Sequence, residues 1–86
     1  MAVSSISELE KNVLHYFGIS FNVDENTLNR DTNIAADLGG TSMLMVGLIS
    51  LIDNELDILI PLPEAGKFAT IGDVIDRLVE LGAIEQ

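Results

Sequence analysis

Apolar residues that recur at spacings of three and four constrain the fold of this chain more than any other feature. In TIGDVIDRLVELG, residues 70 to 82, Ile71, Val74, Ile75, Leu78 and Leu81 fall on one side of a helix. Thr70 can cap that helix, Asp73 stands in its first turn and Gly82 fits the position past its end. Residues 4 to 17, SSISELEKNVLHYF, place Ile6, Leu9, Val13 and Phe17 at the same spacings. Ser5 with Glu8, or Ser7 with Glu10, makes a capping box there, and Gly18 offers a stop. Residues 42 to about 56 form the third such segment. A turn of about 100° per residue sets Met45, Val46, Leu48, Ile49, Ile52 and Leu56 inward and Met43, Gly47, Ser50 and Asn54 outward, with Leu44 and Leu51 on the border. Thr41 or Ser42 supplies its N-cap. No run alternates as a half-buried strand would. The pattern predicts an all-α fold, a small four-helix bundle with three main helices and one short one.

The short helix falls in DILIPLPEAGKFA, where Pro61 and Pro63 exclude a long regular helix and leave one helical turn over residues 64 to 68. Residues 18 to 41 are rich in Asn, Asp, Thr and Gly and read as a long loop between the first two main helices. A loop of that length is uncommon in a compact domain and points to function. Ile19, Phe21, Val23, Leu28, Ile34 and Leu38 can pin it to the core. The 86 residues suffice for one domain, here 1–86, with helices at roughly 4–17, 42–56, 64–68 and 70–81.

Charge and composition then narrow the functions. Four Lys and Arg stand against fourteen Asp and Glu, a formal charge of −10. Such a chain repels phosphate backbones, so no nucleic acid is expected as a partner, and basic protein surfaces are. Without cysteine there is no disulfide and no thiolate metal site. DENTLNRDTNIA begins like a calcium loop, but Leu28 takes the third ligand position and Asn29 stands where a glycine is needed. DNELD runs on into Ile58 and Leu59, so both acidic stretches read as solvated faces and no metal is expected. The N-terminus MAVSSISELE has neither a basic nor an apolar leader region, and the most apolar run, Met43 to Ile52, is ten residues long. A membrane span takes about 20. A soluble, cytoplasmic monomer is expected.

One hydroxyl remains to be explained. Ser42 follows Gly39, Gly40 and Thr41 and opens the second main helix. A nucleophilic serine needs a base, and the single histidine, His15, lies in the first helix among apolar neighbours, so no catalytic residue is expected. A helix N-terminus offers free N–H groups and the positive end of the dipole, both favourable to a phosphate on that hydroxyl. The two glycines leave the approach open. Local physics leaves two roles for Ser42, a cap or a point of attachment.

The stretch DLGGTSMLMVGLI resembles the prosthetic-group attachment site of the carrier-protein family, which comprises acyl and peptidyl carrier proteins. Leu38, Gly39, Gly40, Thr41 and Ser42 match the Leu-Gly-Gly-x-Ser form of the peptidyl carriers, with Thr41 where acyl carriers have Asp and Met43 where they have Leu. NELDILIPLPEAGKFATIGDVIDRLVE is more similar to an acyl carrier. The resemblance covers nearly the whole chain. It implies a 4′-phosphopantetheine arm on Ser42, added by a phosphopantetheinyl transferase from coenzyme A with magnesium. The arm holds an acyl or aminoacyl group as a thioester, and the protein presents that cargo without catalysing. Partners would be that transferase, an acyl or aminoacyl ligase and downstream synthases or transferases.

Fatty-acid carriers are acidic along the exposed face of this helix, whereas here acid enters only at Asp53, Glu55 and Asp57. Met43, Leu44, Gly47 and Leu51 are therefore candidates for an apolar docking surface, with partial burial by the loop the other reading of Met43, Leu44 and Leu51, and Asp31, Asp37, Asp53, Glu55 and Asp57 either steer basic partners or are simply solvated. The mixture implies a freestanding carrier of a specialised pathway. Met45, Ile49, Leu62 and Phe68 either fill the core or line a space opened for an acyl chain. The competing expectation is an acidic helical interaction module with no prosthetic group, binding a partner through the apolar patch on the second helix.

Overall fold

The computed structural model describes residues 5–39 and 41–84, with Ser42 described by its backbone alone. Four α-helices, α1 (Ile6–Phe21), α2 (Ile34–Leu38), α3 (Ser42–Leu56) and α4 (Ile71–Glu80), are joined with 3-10 turns at Glu25–Thr27 and Leu62–Glu64. Helix α1 packs on α3 and α4. Leu9, Val13 and Phe17 of α1, Leu48, Ile49 and Ile52 of α3, and Ile71, Val74, Ile75 and Leu78 of α4 share the core, closed by Ile60 from the connection between α3 and α4. The fold is the small all-α bundle that the periodicity predicts.

Helix α1 starts where Ser5 Oγ accepts the Glu8 N–H at 3.1 Å. It runs past Gly18, the expected stop, to Phe21. Asn22 ends it in the left-handed conformation, at φ 56°, and both Asn22 and Val23 donate their N–H groups to Gly18 O. Gly18 serves a different need. A Cβ there would stand 3.1 Å from Val23 O and 3.2 Å from Glu25 Cβ, so the glycine lets the chain fold back against the helix.

The expected loop of residues 18 to 41 is also more ordered than its composition suggests. Asp24 caps the 3-10 turn by accepting the Asn26 N–H, and Asn33 caps α2 by accepting the Ala36 N–H at 2.7 Å. The polar residues that read as loop are caps of two short elements. Leu28 and Ile34 are buried, and Phe21, Val23 and Leu38 pack partly against the core, but Ile19 is exposed. Backbone hydrogen bonds from Ile34 to Ala69 O, Ile71 to Thr32 O and Gly72 to Arg30 O tie this segment to the start of α4.

The turn expected over 64–68 lies at Leu62–Glu64 instead, because Pro61 and Pro63 have the φ that a first turn needs and lack the N–H groups that it leaves unused. Glu64 then receives Arg77 from α4 on both carboxylate oxygens, at 2.8 and 3.1 Å. Two further side chains depart from the periodicity, since Ile6 and Val46 are exposed; Leu62, expected to fill the core or line a space within it, is exposed as well. Met45 and Ile49 are buried there and Phe68 packs against it. Helix α4 has the full capping box of Thr70 and Asp73.

Candidate functional site

Two short turns of chain geometry build the site. Helix α2 ends at Gly39, which takes φ 61° and donates its N–H to Ala35 O and Ile34 O. That left-handed residue reverses the chain, and a Cβ on it would meet nothing within 4 Å, so this flank of the link is open. Gly40 lies outside the described residues. Thr41 then turns extended, at φ −114° and ψ 164°, and its hydroxyl accepts the Leu44 N–H at 3.3 Å while its carbonyl accepts the Met45 N–H.

Thr41 is thus the N-cap of α3, and Ser42 is the first residue inside the helix. The placement of the Ser42 side chain lies outside what is described. Helix geometry leaves the N–H groups of Ser42 and Met43 without intrahelical acceptors. The positive end of a 15-residue helix stands there, and the first turn contains no acidic residue to cancel it. These features suit a phosphodiester on the residue at this position, so the site fits a phosphate-linked group.

Around this point the described residues of α3 present an apolar face. Met43 is 82% exposed and Val46 40%. Gly47, Ser50 and Asn54 continue the exposed stripe, while Leu44 and Leu51 are half-buried and Leu51 packs against the core. Val46 is the member of this face that periodicity set inward. It stands near the edge of the inward arc, and only packing decides an edge position.

The acids are spread. Asp37 is exposed, and its Oδ2 accepts the Asn33 N–H at 2.8 Å, so it also helps to start α2. Asp53 is half-buried at the far end of α3. Glu55 is exposed on another side of that helix, where its carboxylate acts on Tyr16 of α1. Burial raises the Tyr16 phenol above its ordinary value, and the charge of Glu55 adds to that. Asp53 and Glu55 stand ten and twelve residues along α3 from Met43, about 15 to 18 Å of helix axis, so neither lies beside it.

The cations stand apart. Residues 31 to 66 contain no Lys, Arg or His. Arg30 is held by Asp76 at 2.6 Å and Glu10 at 3.6 Å, and Arg77 by Glu64. His15 Nδ1 lies 2.7 Å from Glu25 Oε1. No helix among the described residues is long and apolar enough to cross a membrane, and no group of acidic or histidine side chains among them could hold a metal ion.

A family model described as a phosphopantetheine attachment site matches residues 15–78, which contain all of α2 and α3. The chain is similar to an acyl carrier protein of Porphyromonas gingivalis, 32% identical over 73 residues that cover 85% of this chain and 94% of that protein. It is also similar to an acyl carrier protein of Clostridium perfringens, 34% identical over 58 residues that cover 67% of this chain and 76% of that one.

Proposed function

Because this chain belongs to the phosphopantetheine-binding family of acyl carrier proteins, we propose that Ser42 is the residue that bears its prosthetic group. The protein is a carrier and the group is covalently bound 4′-phosphopantetheine. When bound, that group supplies a terminal thiol, which this cysteine-free chain lacks, to hold an acyl or aminoacyl unit as a thioester.

One observation carries the assignment to Ser42. Thr41 provides the N-cap of α3, so the N-cap role does not account for a serine at the first helical position. The N–H groups of Ser42 and Met43 and the positive end of α3 favour the phosphodiester, and Gly39 leaves its flank of the link open. Residues 1–86 act as one carrier domain. Met43, Leu44, Gly47 and Leu51, joined by Val46, form the docking face beside the arm, and Asp37, Asp53 and Glu55 steer basic partner surfaces. A phosphopantetheinyl transferase loads the serine, a ligase charges it, and synthases or transferases take the cargo. The sparse acid on the outer face of α3 favours a specialised biosynthetic pathway in the cytoplasm.

The test is the intact mass of purified protein after incubation with coenzyme A, magnesium and a broad-specificity phosphopantetheinyl transferase. Wild type should gain one phosphopantetheine and Ser42→Ala none. A folded wild type that gains nothing, including with the transferase of its own organism, would overturn the proposal.

A further inference from the structure

A cleft of about 320 Å³ opens between the segment after α1 and the short helix α2. Thr27, Leu28, Asp31, Thr32, Asp37 and Leu38 line it. Nothing in the docking role of α3 uses it. We infer that this cleft receives the pantetheine part of the arm when no partner enzyme is engaged, an inference that rests on Ser42 as the attachment residue.

Reach comes first. Leu38 and Ser42 are four peptide steps apart, so their Cα atoms are separated by at most about 15 Å. A phosphate followed by three amide-linked units in line spans that distance. The link between them is unobstructed at Gly39, where even a Cβ would touch nothing. Helix α2 is in turn fixed, through Ile34 N–H to Ala69 O, to the start of α4, so the cleft wall is held by two elements rather than by a free loop.

Chemistry comes second. Pantetheine has a branched apolar segment, two amides and a hydroxyl. Leu28, which is buried, and Leu38, which packs partly against the core, offer the apolar wall. Asp31 and Asp37 offer acceptors for amide N–H groups. Asp37 uses one oxygen on the Asn33 N–H and has acceptor capacity left. A carboxylate would repel the phosphodiester, but the phosphate stays at the start of α3, and only the uncharged remainder reaches the cleft. The cleft residues thereby compete with solvent for the arm, and a partner enzyme has to draw it out.

The absence of native cysteine makes a direct test possible, because the thiol of the arm is the only one in the loaded protein. Thr27→Cys puts a second thiol on the cleft. Ser50→Cys puts one on the exposed face of α3, eight residues and about 12 Å along the axis from Ser42. Intact mass first establishes loading of each variant, so failure of the carrier assignment shows before this experiment begins. Oxidised glutathione then accepts the two electrons as the two thiols lose their protons and join. Intramolecular disulfide should form at least about tenfold faster in Thr27→Cys than in Ser50→Cys. In the unmutated protein, conversion from the apo to the loaded form should shift the amide resonances of Leu28, Thr32 and Leu38. Equal trapping rates, with resonance shifts confined to residues 39 to 47, would overturn the inference.

Discussion

Thr41 and Ser42 are adjacent hydroxyl residues at the start of α3. Either can cap a helix by side-chain chemistry, and only the backbone decides which does. Thr41 is the residue in extended conformation with its hydroxyl on the Leu44 N–H, so Thr41→Ala should destabilise the fold by about 1 kcal/mol in urea denaturation. Ser42→Ala, at the first helical position, should change stability by less than about 0.5 kcal/mol. An equal loss at both positions would mean that the serine also caps. The glycine pair and the helix start singled out Ser42 in the sequence as the candidate attachment residue. Which of Thr41 and Ser42 is the N-cap was not legible, because both residues are competent caps.

Glu64 makes a second prediction at this scale. The two hydrogen bonds from Arg77 hold its carboxyl below the usual carboxylate range. A carboxyl with a lower pKa when folded contributes stability above its unfolded pKa, and that contribution is lost as the pH falls through the folded value. Stability should therefore decline below about pH 4.5, the ordinary value for a glutamate. Glu64→Gln should lower stability at neutral pH and flatten that acid limb. Denaturation midpoints between pH 7 and 3 check both.

At the level of elements, glycines separate into those that permit close approach and those that do not. A Cβ on Gly72 would lie 3.0 Å from the carbonyl of Arg30, the same carbonyl that accepts the Gly72 N–H. Gly72→Ala should cost about 1–3 kcal/mol, since backbone on both sides would have to move. Gly47 sits inside α3 with nothing within 4 Å of a Cβ, so Gly47→Ala should stabilise by up to about 1 kcal/mol through helix propensity. Thermal or urea midpoints of the two variants should move in opposite directions.

These same contacts explain where sequence patterns stopped being informative. The periodic segments gave α3 and α4 almost to the residue, because a buried stripe repeats. Helix α2 has five residues, too few for a stripe, and its polar caps imitate loop composition. Gly18 looked like a terminator because a glycine near a helix end is common there, but its reason is a long-range approach by Val23 and Glu25. Val46 and Ile6 belong to faces whose edges are set by what packs beside them, and no single segment records that.

Across the whole molecule, the charge balance shapes both stability and recognition. Of four Lys and Arg, both arginines are engaged with carboxylates within the fold. An exposed pair such as Arg30–Asp76 contributes about 0–1 kcal/mol, whereas repulsion acts among all fourteen acids. Added monovalent salt should therefore raise the melting temperature by a few degrees between about 0.01 and 0.15 M, as the screening length shortens from roughly 30 to 8 Å. A fall over that range would show the ion pairs to dominate.

The attachment residue is tested most directly by the position of the modification within the chain. Trypsin releases residues 31 to 67 as one peptide, bounded by Arg30 and Lys67, which contains Thr41, Ser42 and Ser50. Fragmentation of that peptide from protein loaded with coenzyme A and transferase should place a single phosphopantetheine on Ser42. A group on Thr41 or Ser50, or an unmodified peptide from folded protein, would contradict the assignment.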